Sequence, residues 1–149
     1  MKELNLLLAD DDFDDAFFFK EALLSMGHEV KLHTVEDGEQ LMNYLNNNRQ
    51  QLPNILFLDL NMPRKNGFEC LKEIKDDENL KELPVIIYST SGQKEVIEIL
   101  YESGAQFYIQ KPDNFKKLKE VIRKALNMAQ AIKFSQPRKD QFVLTPLNV

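Results

Sequence analysis

A single cysteine, Cys70, stands in the whole chain, which excludes an intrachain disulfide and fits a reducing compartment. Tryptophan is absent, and there are only two histidines, His28 and His33. No metal-ligand spacing joins them, so both read as structural or surface residues. Long apolar runs are missing: nothing approaches the roughly 18 consecutive apolar residues of a membrane span. The first apolar stretch, Leu4 to Ala9, is too short for a secretory core and runs into three aspartates. Positive charge is in deficit, with 19 Lys and Arg against 24 Asp and Glu, a net charge of -5. General affinity for nucleic acid through its phosphate backbone is therefore not expected. These absences point to a cytoplasmic chain that engages neither membrane nor nucleic acid. No repeat or low-complexity tract is evident, and 149 residues suit one domain at roughly 100–200 residues per domain.

Four apolar runs are present, and each ends abruptly in a polar group. Leu6 to Ala9 runs into Asp10-Asp11-Asp12, Ile55 to Leu58 into Asp59, Val85 to Tyr88 into Ser89, and Phe107 to Gln110 into Lys111-Pro112. Short apolar runs bounded by turn residues read as strands buried on both faces, as in parallel sheets. Val30 to Val35 alternates instead, with Val30, Leu32 and Thr34 on one face and Lys31 and His33 on the other, and reads as an edge strand.

Between the strands the apolar spacing turns helical. Ala16, Phe19, Leu23 and Met26 form one stripe, stopped by Gly27. Leu41, Tyr44 and Leu45 form a second after Gly38. Phe68, Leu71 and Ile74 form a third after the Asn66-Gly67 turn, and Val96 and Leu100 a fourth between Gly92 and Ser103. The fifth stripe is Phe115, Leu118, Ile122, Ala125, Ala129 and Ile132. The expected fold is an α/β doubly wound five-stranded parallel sheet with right-handed crossovers and helices on both faces. Residues 1–132 are expected to form one domain and 133–149 a tail with one strand-like piece, Phe142-Val143-Leu144.

In such sheets the carboxyl ends of the strands line the ligand crevice, so the polar run ends converge. Carboxylates packed together ionise jointly only if a cation joins them; otherwise their pKa values rise. An oxygen-only set made of Asp10, Asp11 and Asp59 selects a hard ion such as Mg²⁺, with Mn²⁺ also suited. Lys111 and Ser89 supply an ammonium and a hydroxyl for phosphoryl oxygens. Phosphoryl transfer needs little beyond positioning and charge stabilisation. An aspartate can be the nucleophile, and Asp59 is the best placed. Taken singly, each feature has a plainer reading. An Asp after a strand is most often a helix N-cap, and Asp10 to Asp15 reads equally as an acidic helix start. Their joint occurrence on one strand pattern favours a site.

The chain resembles the receiver domains of two-component response regulators from residue 4 to about 130, which implies strand order 2-1-3-4-5 in a flavodoxin-like three-layer sandwich. The matching segments are Leu8 to Asp12, Leu58 to Gly67, Pro84 to Thr90 and Tyr108 to Pro112. The resemblance implies a phosphoacceptor signalling protein rather than an enzyme, with Asp59 taking a phosphoryl group from a sensor histidine kinase or a histidine phosphotransfer protein. It implies Mg²⁺ held by Asp11, Asp10, Asp59 and the Asn61 backbone carbonyl, Lys111 on the phosphoryl group, Ser89 as the switch hydroxyl, and Tyr108 as the aromatic behind it. Asn61 and Ser91, where the family tunes hydrolysis, are small and neutral, which implies a phosphorylated form that is not exceptionally short-lived. His28 and His33 do not read as phosphodonors.

With about twenty residues after the fifth helix, a stand-alone receiver acting on a downstream protein target is expected. The Asn46–Asn54 connection and the Lys81 to Pro84 approach resemble the single-domain regulators associated with bacterial phytochromes, which implies a possible homodimer through the fourth helix, fifth strand and fifth helix. Phe19 is expected in the core, and Phe17 or Phe18 on a partner-facing surface. Lys116, Lys117, Lys119, Arg123 and Lys124 read as a solvated helix face, and Cys70 as packed. Two other readings stay open: a degenerate receiver acting as a phosphorylation-independent binding module, and a haloacid dehalogenase-type phosphohydrolase.

Overall fold

The computed structural model describes residues 3–27, 29–133 and 135–146; His28 and the last three residues of the expected tail lie outside the described residues. Strands and helices alternate as β1 (Leu4–Ala9), α1 (Phe13–Ser25), β2 (Val30–Val35), α2 (Gly38–Asn47), β3 (Ile55–Leu58) and α3 (Gly67–Asp76). They continue through β4 (Val85–Ser89), α4 (Lys94–Glu102), β5 (Phe107–Gln110) and α5 (Phe115–Ile132) to a short β6 (Val143–Leu144). The sheet is parallel throughout, in the order β2-β1-β3-β4-β5-β6. The expected order of the first five strands is found, but the expected count is corrected from five to six.

Both faces of the sheet are covered, which is why the central strands read as unbroken apolar runs rather than alternating ones. All four residues of β3 and all five of β4 are buried. On one face Phe19, Ala22 and Leu23 of α1 pack with Leu118, Val121, Ile122 and Ala125 of α5. On the other, Leu41 and Leu45 of α2, Leu71 and Ile74 of α3 and Leu100 of α4 form the second layer. Strand β2 has the expected edge pattern in part: Val30 and Leu32 are half-buried and Lys31 and His33 exposed, but Thr34 is exposed as well. The His33 ring stacks on Tyr44 with centroids 4.3 Å apart. Cys70 is fully buried, with its thiol 3.7 Å from the Gly38 carbonyl oxygen and pushed up to about 12 by burial, a packed and unreactive sulfur. Lys116, Lys117 and Arg123 are exposed, as the solvated face of α5 requires, whereas Lys119 and Lys124 are half-buried.

The sixth strand comes from the tail. The Tyr108 N–H donates to the Phe142 carbonyl (3.1 Å), and Tyr108 pairs with Val143 and Ile109 with Leu144. Side-chain bonds hold the approach: the Tyr101 hydroxyl donates to the Pro137 carbonyl (2.8 Å), and the Gln136 amide to the carbonyls of Tyr101 (2.6 Å) and Ala105 (2.7 Å). An unpaired β5 edge would present a row of free backbone groups, and β6 covers part of it. The strand-like piece Phe142-Val143-Leu144 is thus a strand of the sheet; at two residues it is too short for a period-two pattern to assign it a place there, which is why the strand count fell short. Phe142, 1% exposed, meets Tyr101 edge-on at 5.1 Å and Tyr108 at 6.2 Å. Phe142→Leu is expected to cost about 1 kcal/mol, the size of lost aromatic pairing. A urea midpoint lowered at unchanged slope would show it; an unchanged midpoint would mean that the tail adds no packing energy.

Candidate functional site

The hydrogen-bond ladders run one residue past the strands and so place two carboxylates. The Asp10 N–H donates to the Val35 carbonyl (3.0 Å) and the Asp59 N–H to the Ala9 carbonyl (2.9 Å), setting both residues at the carboxyl end of the central sheet. Gly67 holds the far side of the Asp59 turn. Its N–H donates to the Leu60 carbonyl (3.0 Å), and a Cβ there would meet the Asp59 carbonyl oxygen and come within 2.8 Å of Leu60 Cα, so the close approach requires glycine. Asn66 caps α3 through a reciprocal pair with Glu69, fixing where that helix starts.

The acidic triplet divides its labour. Asp10 is buried, and its Oδ1 accepts the Asp12 N–H (2.9 Å). Asp12 is the N-cap of α1, accepting from the Asp15 N–H (3.0 Å), so the plain helix-start reading holds for this one residue. Asp11 is exposed at the mouth. One carboxylate oxygen from each of Asp10, Asp11 and Asp59 lies within 4.8 Å of the others. Asp10 Oδ2 is shielded from solvent and receives no well-directed hydrogen bond, although Lys111 Nζ lies 2.8 Å away. Three oxygen donors, one of them incompletely satisfied, fit a hard divalent cation.

Lys111 follows β5, its N–H donating to the Ser89 carbonyl (2.7 Å). Its ammonium lies 2.8 Å from Asp10 Oδ2, 2.8 Å from Asp15 Oδ2 and 3.6 Å from Asp59 Oδ2, and 5.2 Å from the centre of the Tyr88 ring. Burial opposes the charge on Lys111, but the Asp10 and Asp15 carboxylates outweigh it and hold its pKa above the usual lysine value. Burial raises Asp10 above the carboxylate range, against the pull of Lys111. Asp59 is pushed up to about 6, chiefly by burial and further by Asp10, although Lys111 and the Leu60 and Asn61 backbone N–H groups favour its ionised form. The positive charge present does not balance these carboxylates.

Ser89 is fully buried at the end of β4, its hydroxyl accepting the Ser91 N–H (3.2 Å). Tyr108 is also fully buried, its hydroxyl donating to the Ser91 carbonyl (2.7 Å) and facing the Ser89 side chain. Asp10, Asp11, Asp59 and Lys111 are thus brought together, and Ser89 and Tyr108 are joined through Ser91 beside them. Asn61 contributes its backbone N–H to Asp59. Asp15 is the member that sequence reasoning missed. It stands in the first turn of α1, where an acid is expected for the helix dipole, and only its contact with Lys111, 96 residues away, separates it from Asp14.

This fold, with three carboxylates and a lysine gathered at the carboxyl ends of β1, β3 and β5, defines the class: a doubly wound α/β domain with an acidic crevice. Residues 6–123 match the response regulator receiver domain, and the chain belongs to that family. It is 31% identical over 122 residues to the response regulator Rcp1 of Synechocystis sp., covering 79% of this chain and 83% of that one. It is 31% identical over 123 residues to the chemotaxis protein CheY1 of Helicobacter pylori, covering 83% and 97%. Among solved structures, the phosphorylated cyanobacterial phytochrome response regulator RcpA superposes with a TM-score of 0.78 at 31% identity, covering 91% of this chain and 99% of that one. The Mn²⁺-bound form of Rcp1 superposes at 0.71 with 29% identity, covering 90% and 99%.

Proposed function

We propose that the chain is a phosphorelay receiver in which Asp59 accepts a phosphoryl group from the phosphohistidine of a sensor kinase or phosphotransfer protein. The observation that carries the reading is the convergence of Asp10, Asp11 and Asp59 on one 4.8 Å cluster beside Lys111. A carboxylate oxygen of Asp59 attacks phosphorus, the P–N bond breaks, and an acyl phosphate forms as the imidazole leaves with a proton. Asp10, Asp11, Asp59 and the Asn61 carbonyl are the proposed ligands of Mg²⁺, with Mn²⁺ able to substitute; the ion supplies the positive charge that the carboxylates and the phosphoryl oxygens require. Lys111 bonds a phosphoryl oxygen. Ser89 turns its hydroxyl from the Ser91 N–H toward another, and Tyr108, bonded to Ser91, carries that change to the surface.

Half-exposed Phe17 and Phe18, with Phe13 beside them on α1, form the proposed contact for a phosphodonor. Phe18 and Phe115 border a cavity of about 380 Å³ at the mouth of the site, where Lys111 and Asp15 also stand. The receiver acts on a downstream protein in the cytoplasm; no helix among the described residues is long and apolar enough to cross a membrane. A homodimer on the α4-β5-α5 face would include the tail, since β6 lies along β5. In this reading the described tail residues, 135–146, belong to the receiver rather than to a second domain.

The degenerate binding module is not favoured, because all three acids and the lysine are retained. The haloacid dehalogenase reading calls for a nucleophile after β1 and for a cap domain, and the described residues form one doubly wound sheet with no cap. Incubation with Mg²⁺ and acetyl phosphate, followed by weighing the intact protein, tests the three. A gain of one phosphate that is lost in Asp59→Asn is the expected result. No adduct would point to the binding module, and multiple turnover of phosphomonoesters to the hydrolase.

A further inference from the structure

Lys111 has three N–H groups and three carboxylate neighbours, yet it engages them unequally. Asp10 Oδ2 and Asp15 Oδ2 each lie 2.8 Å from Nζ, at hydrogen-bond distance, whereas Asp59 Oδ2 lies 3.6 Å away, beyond it. The three carboxylates arrive from different elements. Asp10 and Asp59 extend β1 and β3, while Asp15 descends from the first turn of α1, which Asp12 pins by its N-cap bond to the Asp15 N–H. The Lys111 side chain is 8% exposed and that of Asp15 35%, so Asp15 is the partner on the solvent side. Among the ion pairs of the described residues, Asp15 is the partner that draws the ammonium toward solvent, against the pull of the buried Asp10 and Asp59.

We propose that Asp15 is a positioning residue that holds the Lys111 ammonium back from Asp59, leaving the acceptor oxygen free to attack and one N–H free for the incoming phosphoryl oxygen. The proposal rests on the receiver reading above. With Asp15 neutral, Lys111 moves onto Asp59, pairs with the lone pairs that must attack phosphorus, and fills the space that a phosphoryl oxygen enters. Reaction geometry of this kind is sensitive to shifts on the ångström scale. The role requires a charge at this position and not simply an acidic helix start. Asp14 is exposed in the same turn and has no contact with Lys111 among the ion pairs of the described residues, so it separates the two.

The test is the rate of one-phosphate gain by the full chain, read by intact mass at increasing acetyl phosphate with saturating Mg²⁺. Asp15→Asn is expected to lower the limiting rate on the order of tenfold, with the donor concentration at half-maximal rate little changed. Asp14→Asn, which removes the same charge from the same turn, is expected to stay within about twofold of the original chain. Asp15→Glu, which keeps the charge on a longer arm, is expected to recover at least half of the lost rate, an effect that a purely structural defect would not give. An Asp15→Asn rate equal to or above that of the original chain overturns the proposal, as does an equal fall in Asp14→Asn or no recovery in Asp15→Glu. If the original chain gains no phosphate, the receiver reading itself fails and this proposal with it; if it gains phosphate with unchanged rates in the variants, the positioning role alone fails.

Discussion

Lys111→Met is expected to lower folding stability by about 3–5 kcal/mol at neutral pH in the presence of a chelator, the cost of removing one partner from a buried charge cluster. Among the described residues, Asp10, Asp15 and Asp59 form ion pairs with Lys111 only. Without it the two buried carboxylates, both already pushed above the usual range by burial, must ionise against each other or take up protons. The loss should therefore shrink below about pH 6, where protonation relieves it. It should shrink also in the Lys111→Met/Asp59→Asn double variant, because neighbouring sites in one charge network are not additive. Urea unfolding at pH 7.5 and at pH 5.5 gives both comparisons. A single-variant loss under about 1 kcal/mol would mean that the ion pairs of Lys111 merely offset its own desolvation.

Asp59→Asn is expected to act in the opposite sense and stabilise the chelated protein. The Asp59 carboxyl in the folded state is pushed up from 3.8 to about 6. Between roughly pH 4 and 6 the folded protein therefore keeps a proton that the unfolded chain has released, and stability falls as pH rises through that window. At 1.36 kcal/mol per pH unit the displacement is worth on the order of 1–3 kcal/mol. Asparagine, which carries no charge, escapes this cost. The variant should match the original chain near pH 4 and exceed it by that amount above pH 7. A constant difference at every pH would assign the effect to packing instead of charge. In the proposed receiver the same free energy bears on function: an acceptor carboxylate that is costly to ionise alone gains most from a divalent cation, so adding Mg²⁺ is expected to narrow the gap between the two proteins.

How much of this was legible in sequence follows from the range of each signal. The ends of β3 and β4 were readable to within a residue because an apolar run buried on both faces stops where the sheet stops, at Asp59 and Ser89. The faces of α1 and α5 were readable because each helix buries one stripe. Helix α4 was less clear. It starts at Lys94 and not at Gly92, its N-cap Gln93 makes no side-chain bond, and it fully buries Leu100 alone, so the local signal for its boundary is weak. The tail strand showed locally as the strand-like piece Phe142-Val143-Leu144, but nothing local could say that it adds to the sheet; Phe142 and Leu144 are buried because β5 stands beside them.

By itself the sequence determined the alternation of strand and helix, the strands that end in Asp10, Asp59, Ser89 and Lys111, and therefore the crevice they share. Apolar period and run length are local properties of a chain, and they survive without knowledge of its partners. Only the tertiary structure decided the division of the aspartates: Asp12 to a helix cap, Asp10 to the buried floor, Asp11 to the mouth, Asp15 to the ammonium of Lys111. The sequence pattern picked out Asp10 and Asp11, but burial and the Asp15 contact depend on how α1 enters the site and on a partner 96 residues away, and nothing local separates Asp15 from Asp14.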